Sequence, residues 1–310
     1  MLIDALQIGS AFKEELSRAG ILAANVRGIF NKVINLELET NSLVSIVSED
    51  ILNAPNNLVV TTPPAFSLKE LGINLGAEVK LTPREISFEK AGFRIDLSEV
   101  EVWTSNLSWE GLAVESGILA ENLEFLKKIV VLEGAHEGLG ELAKFAEQIV
   151  TGRCLNCEFD YVSELLYSVV FSLVKAVLIG EQDLIAKNSK RLLGLGPGLT
   201  PAGDDFLLGF YTMLVLLEQR TKLVYLTQEI KDEILTAAEA KTTLESRTML
   251  RYVLEAQVPE IILKLLASLF TTEETEVFCN TLRLLDRGST SGTDIATGIL
   301  IGGYTLLTEL

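Results

Sequence analysis

The sequence predicts an α+β protein, an N-terminal antiparallel β-barrel or sandwich domain followed by a C-terminal all-α helical bundle domain. Three observations point there. Short alternating runs broken by turn residues fill the chain up to about Ser105, and apolar residues recur at helical spacing after Gly111. No segment alternates strand with helix, which argues against a doubly wound sheet. The division falls at residues 1–110 and 111–310, with the connection near 105–117.

In chain order, an opening helix is expected from about Ala5 to Arg18. Val33 to Leu38 and Leu43 to Val47 flank the polar Thr40-Asn41-Ser42, a hairpin signal. Leu58 to Thr62 is β-branched and stops at Pro63-Pro64. Short runs at Glu78–Leu81, Glu85–Glu89, Phe93–Leu97 and Val100–Trp103 follow, separated by Pro83, Gly92 and Ser98. Seven or so brief strands at even spacing suit a small barrel or sandwich. Beyond Gly111, Ile118, Leu119, Leu123, Leu126 and Ile129 recur helically, as do Leu139, Leu142, Phe145 and Ile149. Leu165 to Ile179 is apolar almost all round, which marks a helix enclosed by others. Further helices are expected near Pro201–Gln219, Thr227–Ala240, Thr243–Ala256, Glu260–Phe270, Glu273–Arg287 and Asp294–Leu307.

Composition narrows the function. The 310 residues carry 26 Lys+Arg against 43 Asp+Glu, a net charge of −17. So acidic a surface repels phosphate backbones and anionic membranes, so no nucleic-acid or membrane partner is expected. The start has no basic segment leading into an apolar run. Tyr161 to Gly180, the longest candidate span, is interrupted by Glu164 and Lys175, and the uncharged Phe206 to Leu217 is shorter than the ~20 residues of a membrane span. A cytoplasmic protein is the default reading. Three cysteines agree with a reducing compartment. Cys154 and Cys157 form a CxxC without a second pair, which reads as two half-buried thiols in a helix connection. His136, the one histidine, reads as a solvated loop residue rather than as part of a triad.

The chemistry concentrates in three helix openings. In Gly194-Leu195-Gly196-Pro197-Gly198-Leu199-Thr200-Pro201-Ala202-Gly203-Asp204-Asp205, glycines let the backbone approach a ligand. Thr200 reads as an N-cap, Pro201 as the first helical residue, and Gly203 as leaving the first turn bare, an anion site. Asp204 and Asp205 entering a core helix are costly unless they bind something: a cation, an amide, a guanidinium or an arginine. A loop that merely caps a buried helix is the plain alternative. In Lys241-Thr242-Thr243-Leu244-Glu245-Ser246-Arg247, Thr242 and Glu245 fit a capping box. Thr243, Ser246 and Arg247 remain, and Arg247 suits a carboxylate or phosphate clamp. The third opening is Arg287-Gly288-Ser289-Thr290-Ser291-Gly292-Thr293-Asp294, ahead of a small-residue helix whose glycines equally suit close helix packing. The three openings are expected to converge on one small anionic ligand.

GLGPGLTPAGDDFLLG, KTTLESRTMLRYVLEA and GSTSGTD resemble, in order and spacing, the AllH family, many of whose members are described only as a domain of unknown function. The resemblance implies a subunit of an oxamate carbamoyltransferase in allantoin catabolism. It would share, with partner subunits, in converting oxalurate and phosphate to oxamate and carbamoyl phosphate. Carried over by position, the motif residues are Gly196, Gly198, Thr200, Pro201, Gly203, Asp204 and Asp205, then Thr243, Ser246 and Arg247, then Thr290, Ser291, Gly292 and Asp294. Asp204, Asp205 and Arg247 take the catalytic roles and the others hold substrate. Ala202 stands where relatives often carry Ser, and Ser289 where many carry His. No organic cofactor and no fixed metal ligands are expected. A Mg²⁺-dependent helical hydrolase using Asp204 and Asp205 is one alternative, and a non-catalytic scaffold or ligand-binding subunit is another.

Overall fold

The computed structural model describes residues 2–63, 66–110, 112, 115–152 and 161–310. The Cys154–Cys157 pair lies outside them. The chain divides into two compact units, Met1–Asn106 with Val258–Glu260, and Leu107–Gln257 with Ile261–Leu310.

The first unit is a β-barrel. Its strands are β1 (Leu2–Gly9), β2 (Leu22–Ile29), β3 (Val33–Leu38), β4 (Leu43–Ser48), β5 (Asn57–Val60), β6 (Glu78–Leu81), β7 (Glu85–Phe88), β8 (Phe93–Asp96) and β9 (Glu101–Trp103). Eight strands follow one another in the order β5-β4-β3-β2-β6-β7-β8-β1, and β1 pairs with β5 to close the ring. Closure removes the exposed edges that an open sheet would carry. β9 continues along the side of β1 that β8 has left, pairing Gln7–Gly9 after β8 has paired Leu2–Asp4. Inward residues alternate with exposed ones along β2 and β3, as the pleat requires. Ile8, Val26, Ile34, Leu36, Ile46, Leu58, Ile86 and Phe93 fill the interior. The helix α1 (Ser10–Ala19) adds Phe12 and Leu16 to the same core.

Two expectations need correction. The opening helix starts at Ser10 rather than near Ala5, because Leu2–Gly9 is a strand. Ile3 and Ala5 pack on the core while Asp4 and Leu6 face solvent, a period of two rather than 3.6. The barrel is also not wholly antiparallel: β1 runs parallel to β8 and β9, and β4 parallel to β5. β1 enters a slot between strands far from it in sequence, so no tight hairpin sets its direction.

The second unit is helical. It contains α2 (Ser116–Glu133), a 3₁₀ segment Gly140–Phe145, α3 (Ala146–Thr151), α4 (Tyr161–Leu178), α5 (Gln182–Leu192), α6 (Ala202–Thr221), α7 (Gln228–Lys241), α8 (Leu244–Leu254), α9 (Glu260–Leu269), α10 (Glu274–Leu285) and α11 (Ser291–Leu307). Every residue of α6 from Ala202 to Leu217 is buried, and every residue of α11 from Gly292 to Leu306. These two central helices touch through their backbones. A Cβ added to Gly209 would lie 2.1 Å from the Ile295 carbonyl oxygen, and one added to Gly298 would lie 2.2 Å from that of Phe206. The small-residue stripe of α11 is therefore a packing surface, and it fixes how the two helix starts face each other. Among the described residues no helix is long and apolar enough to cross a membrane.

Candidate functional site

In the second unit the opening of α6 is bonded to the other two, to the start of α8 through Asp204 and to the start of α11 through Thr200. Asp204, 2% exposed in the first turn of α6, ties α6 to the start of α8. Its Oδ1 accepts from the Gly194 amide at 2.9 Å and its Oδ2 from the Thr242 hydroxyl. The Thr243 hydroxyl donates to the Leu199 carbonyl at 2.6 Å, closing the same junction from the other side. Gly194 has φ +73°, and a Cβ there would lie 2.0 Å from the Lys241 carbonyl oxygen, so only glycine lets the loop pass. Ser246 lies close enough to Asp204 to favour its charged form, although the Ser246 hydroxyl makes no regular hydrogen bond. Burial outweighs these donors and raises the Asp204 carboxyl above the ordinary aspartate range.

Asp205 turns the other way, toward α11. The Thr200 and Ser291 hydroxyls bond each other at 2.5 Å, and both lie close enough to Asp205 to favour its charged form. Its Oδ2 is buried with no hydrogen-bond partner. Burial pushes the Asp205 carboxyl up to about 7, opposed by the Ser291 and Thr200 hydroxyls and by the charge of Arg287. Arg287 is an exposed residue of the α10–α11 turn, yet burial of its guanidinium lowers it from the ordinary arginine value, and the charge of Asp205 opposes that.

Asp294, fully buried in the first turn of α11, is the second carboxylate of this side. Its Oδ1 accepts from the Leu139 amide at 2.7 Å, and its Oδ2 is buried without a partner. Burial, helped by the charge of Asp205 and opposed by the Leu139 amide, raises it to about 7. The loop 134–140 seals this end. The Ala135 amide donates to the Thr293 hydroxyl at 3.0 Å, and Gly138 (φ +75°) brings its Cα against the carboxylate, where a Cβ would lie 2.7 Å from Oδ1. His136 is on the outer side of that loop, exposed and 3.5 Å from Glu141.

The predicted residues therefore separate into layers. Gly196 and Gly198, with positive φ, lie in an exposed loop; Thr200, Thr290 and Ser291 are half-buried; Asp205 and Asp294 lie beneath. Gly203 and Gly292 serve close packing, since a Cβ on either would strike the carbonyl of Leu192 or Leu284. Ser246 is buried and Thr243 half-buried in the α8 opening, and Arg247 is half-buried on α8 with its amide donating to the Thr243 carbonyl.

Three local expectations are corrected. The N-cap of α8 is Thr243, whose hydroxyl accepts from the Ser246 amide at 3.1 Å, while Thr242 is spent on Asp204. The N-cap of α6 is Pro201, without a side-chain cap, because Thr200 turns to Ser291 instead. The first turn of α6 is not bare: the Gly203 amide donates to the Leu195 carbonyl at 2.9 Å, and those of Asp204 and Asp205 to the Pro201 carbonyl. The loop itself uses the amides that the sequence offers for an anion. The positive group that acts on Asp205 is Arg287.

Four contributors lie outside the predicted set: Arg287, Thr242, Gly194 and the Gly138-Leu139 turn. Gly194 and Thr242 stand inside the recognised motifs, and Arg287 directly precedes the third. Nothing local marks Gly138-Leu139, because its partner Asp294 is 155 residues away. Among the described residues no group of three or more His, Cys, Asp or Glu side chains is placed to hold a metal ion.

Residues 192–303, which include all three helix openings, match the family model described as oxamate carbamoyltransferase subunit AllH. Residues 4–102 match that of the AllH family N-terminal domain. No curated protein and no solved structure matches the chain significantly. With two models of one family covering most of its length, one on the barrel and one on the helices that build the site, the chain belongs to the AllH family.

Proposed function

We propose that this chain is a carbamoyltransferase subunit that, within a complex of partner subunits, holds a small anionic substrate at the start of α11. One observation carries the reading: Asp205 is buried beneath the bonded Thr200–Ser291 hydroxyls, with the charge of Arg287 acting on it. A guanidinium at the surface binds phosphate or carboxylate through charge-assisted hydrogen bonds. Hydroxyls accept and donate at once, so two in contact can pass a proton between a ligand and a buried acid.

The family description names oxamate carbamoyltransferase, and the residues suit that reaction. A phosphate oxygen attacks the terminal carbamoyl carbon of oxalurate, the bond from that carbon to the inner nitrogen breaks, and carbamoyl phosphate and oxamate result. The proton lost by hydrogen phosphate is the one the departing nitrogen gains. Asp205 takes and returns it through Thr200 and Ser291. Arg287 stabilises charge on the phosphate and on the tetrahedral intermediate. Asp204 holds the α6–α8 junction in place. Arg247 stays a candidate for the second substrate end, with Thr243 beside it.

The test is reconstitution. The chain, combined with the partner subunits that co-purify with it, is assayed for phosphate-dependent release of carbamoyl phosphate from oxalurate. Loss of turnover in Arg287→Gln and Asp205→Asn, with the complex still assembled, supports the reading. Undiminished turnover in both removes these residues from the reaction, and activity of the partners alone makes the chain a scaffold.

A further inference from the structure

Three carboxylates are buried at the starts of α6 and α11. Asp204 is hydrogen-bonded on both oxygens, whereas Asp205 and Asp294 are not, and the protein supplies a compensating cation beside only one of these two. Asp205 is 6% and Asp294 0% exposed, and the Oδ2 of each is buried without a hydrogen-bond partner. Asp294 cannot swing out. The backbones of α6 and α11 are in contact at Gly209 and Gly298, Asp294 Oδ1 is pinned by the Leu139 amide, and Gly138 closes over the carboxylate. The charges acting on Asp205 are Arg287 from the α10–α11 turn and Asp204 on its own helix, and the charge acting on Asp294 is Asp205. His136, on the loop that covers Asp294, faces outward to Glu141 and compensates neither.

Two like charges held near each other away from water do not both ionise at neutral pH, and one keeps a proton. We propose that Asp205 and Asp294 form one acid–base pair holding a single proton at neutral pH, with Asp294 carrying the proton and Asp205 the charge. Arg287 decides which is which, because its cation stands on the Asp205 side. Asp294 is then a positioning residue. As a neutral acid it leaves Asp205 a base that takes up a proton without two anions meeting. This rests on the role given above to Asp205, but it is tested without any substrate.

The measurement is a pH titration of the whole chain followed by infrared absorption of protonated carboxyl groups, with buried and exposed acids separated by hydrogen–deuterium exchange. The wild type should keep a buried carboxyl band at pH 7 that disappears at higher pH. Asp294→Asn should lose that band at pH 7. Asp205→Asn should keep it but lose it about one pH unit lower, since the neighbouring anion is gone. No buried carboxyl band at pH 7 in the wild type overturns the proposal, as does a band unchanged in Asp294→Asn. An unshifted midpoint in Asp205→Asn overturns the pairing. Should Asp294→Asn fail to fold, the wild type and Asp205→Asn still decide. Retained infrared behaviour with no carbamoyl transfer would sink the proposed reaction and leave the pair standing.

Discussion

Thr200 and Ser291 stand 91 residues apart and share a hydrogen bond of 2.5 Å. That bond joins the loop before α6 to the first residue of α11, directly over Asp205. Its counterpart on the other side of α6 is the bond from Thr242 to Asp204. Two adjacent aspartates thus serve different neighbours, and the consequences are measurable.

Asp204 should matter to stability more than its position in a motif suggests. Asp204→Ala leaves the Gly194 amide and the Thr242 hydroxyl without their acceptor, and hydrogen bonds to a charged group are worth about 1.5–3 kcal/mol each. Urea denaturation should show a loss of that order, and Thr242→Val about half of it. An Asp204→Ala variant as stable as the wild type would contradict the tie between α6 and α8.

Gly298→Ala tests the contact between the central helices. The added methyl meets the Phe206 carbonyl oxygen at 2.2 Å and the Phe210 amide nitrogen at 2.8 Å, both backbone atoms in buried helix. Overpacking of this kind costs about 1–3 kcal/mol. Calorimetry should record a melting temperature lower by several degrees, with a drop in activity as the helix starts shift apart.

Stability should fall as pH rises across the acid-to-neutral range. Asp205 and Asp294 have folded-state values of about 7 against 3.8 for the ordinary group. Between those values these two groups bind more protons in the folded chain than in the unfolded one, so their contribution to the slope of unfolding free energy with pH is negative. Each unit of difference corresponds to about 1.4 kcal/mol. Asp205→Asn should flatten the curve and be more stable than the wild type at pH 8, with the difference shrinking toward pH 4. Denaturation midpoints at three pH values read this directly.

Arg287→Gln should weaken phosphate binding by about 10- to 100-fold, the worth of one charge-assisted contact. Calorimetric titration of the assembled complex with inorganic phosphate provides the measurement. Equal affinity in both proteins would place the anion elsewhere.

Much of the architecture was legible along the chain. Alternation from Val33 to Trp103 marked seven of the nine strands, and the helices at Pro201–Gln219, Thr227–Ala240 and Glu260–Phe270 appear within two residues of their expected ends. Leu2–Gly9 was not legible as a strand. Its alternation is weak, and it is held by β5, β8 and β9, none of them its neighbour in sequence. In the site, composition singled out the three helix openings, because Gly, Thr and Asp there signal caps and close approach.

Sequence alone therefore determined most of the elements and roughly where they end, since periodicity and capping act over one or two turns. Only the tertiary structure decided which polar groups meet. Consecutive helical residues point about 100° apart, so Asp204 and Asp205 part company at the helix surface. Asp205 comes beside the Thr200–Ser291 bond at the start of α11 because glycine backbones bring α6 and α11 together, and Asp294 is closed off by a loop more than 150 residues before it. Those partnerships follow from packing across the unit, which no local pattern encodes.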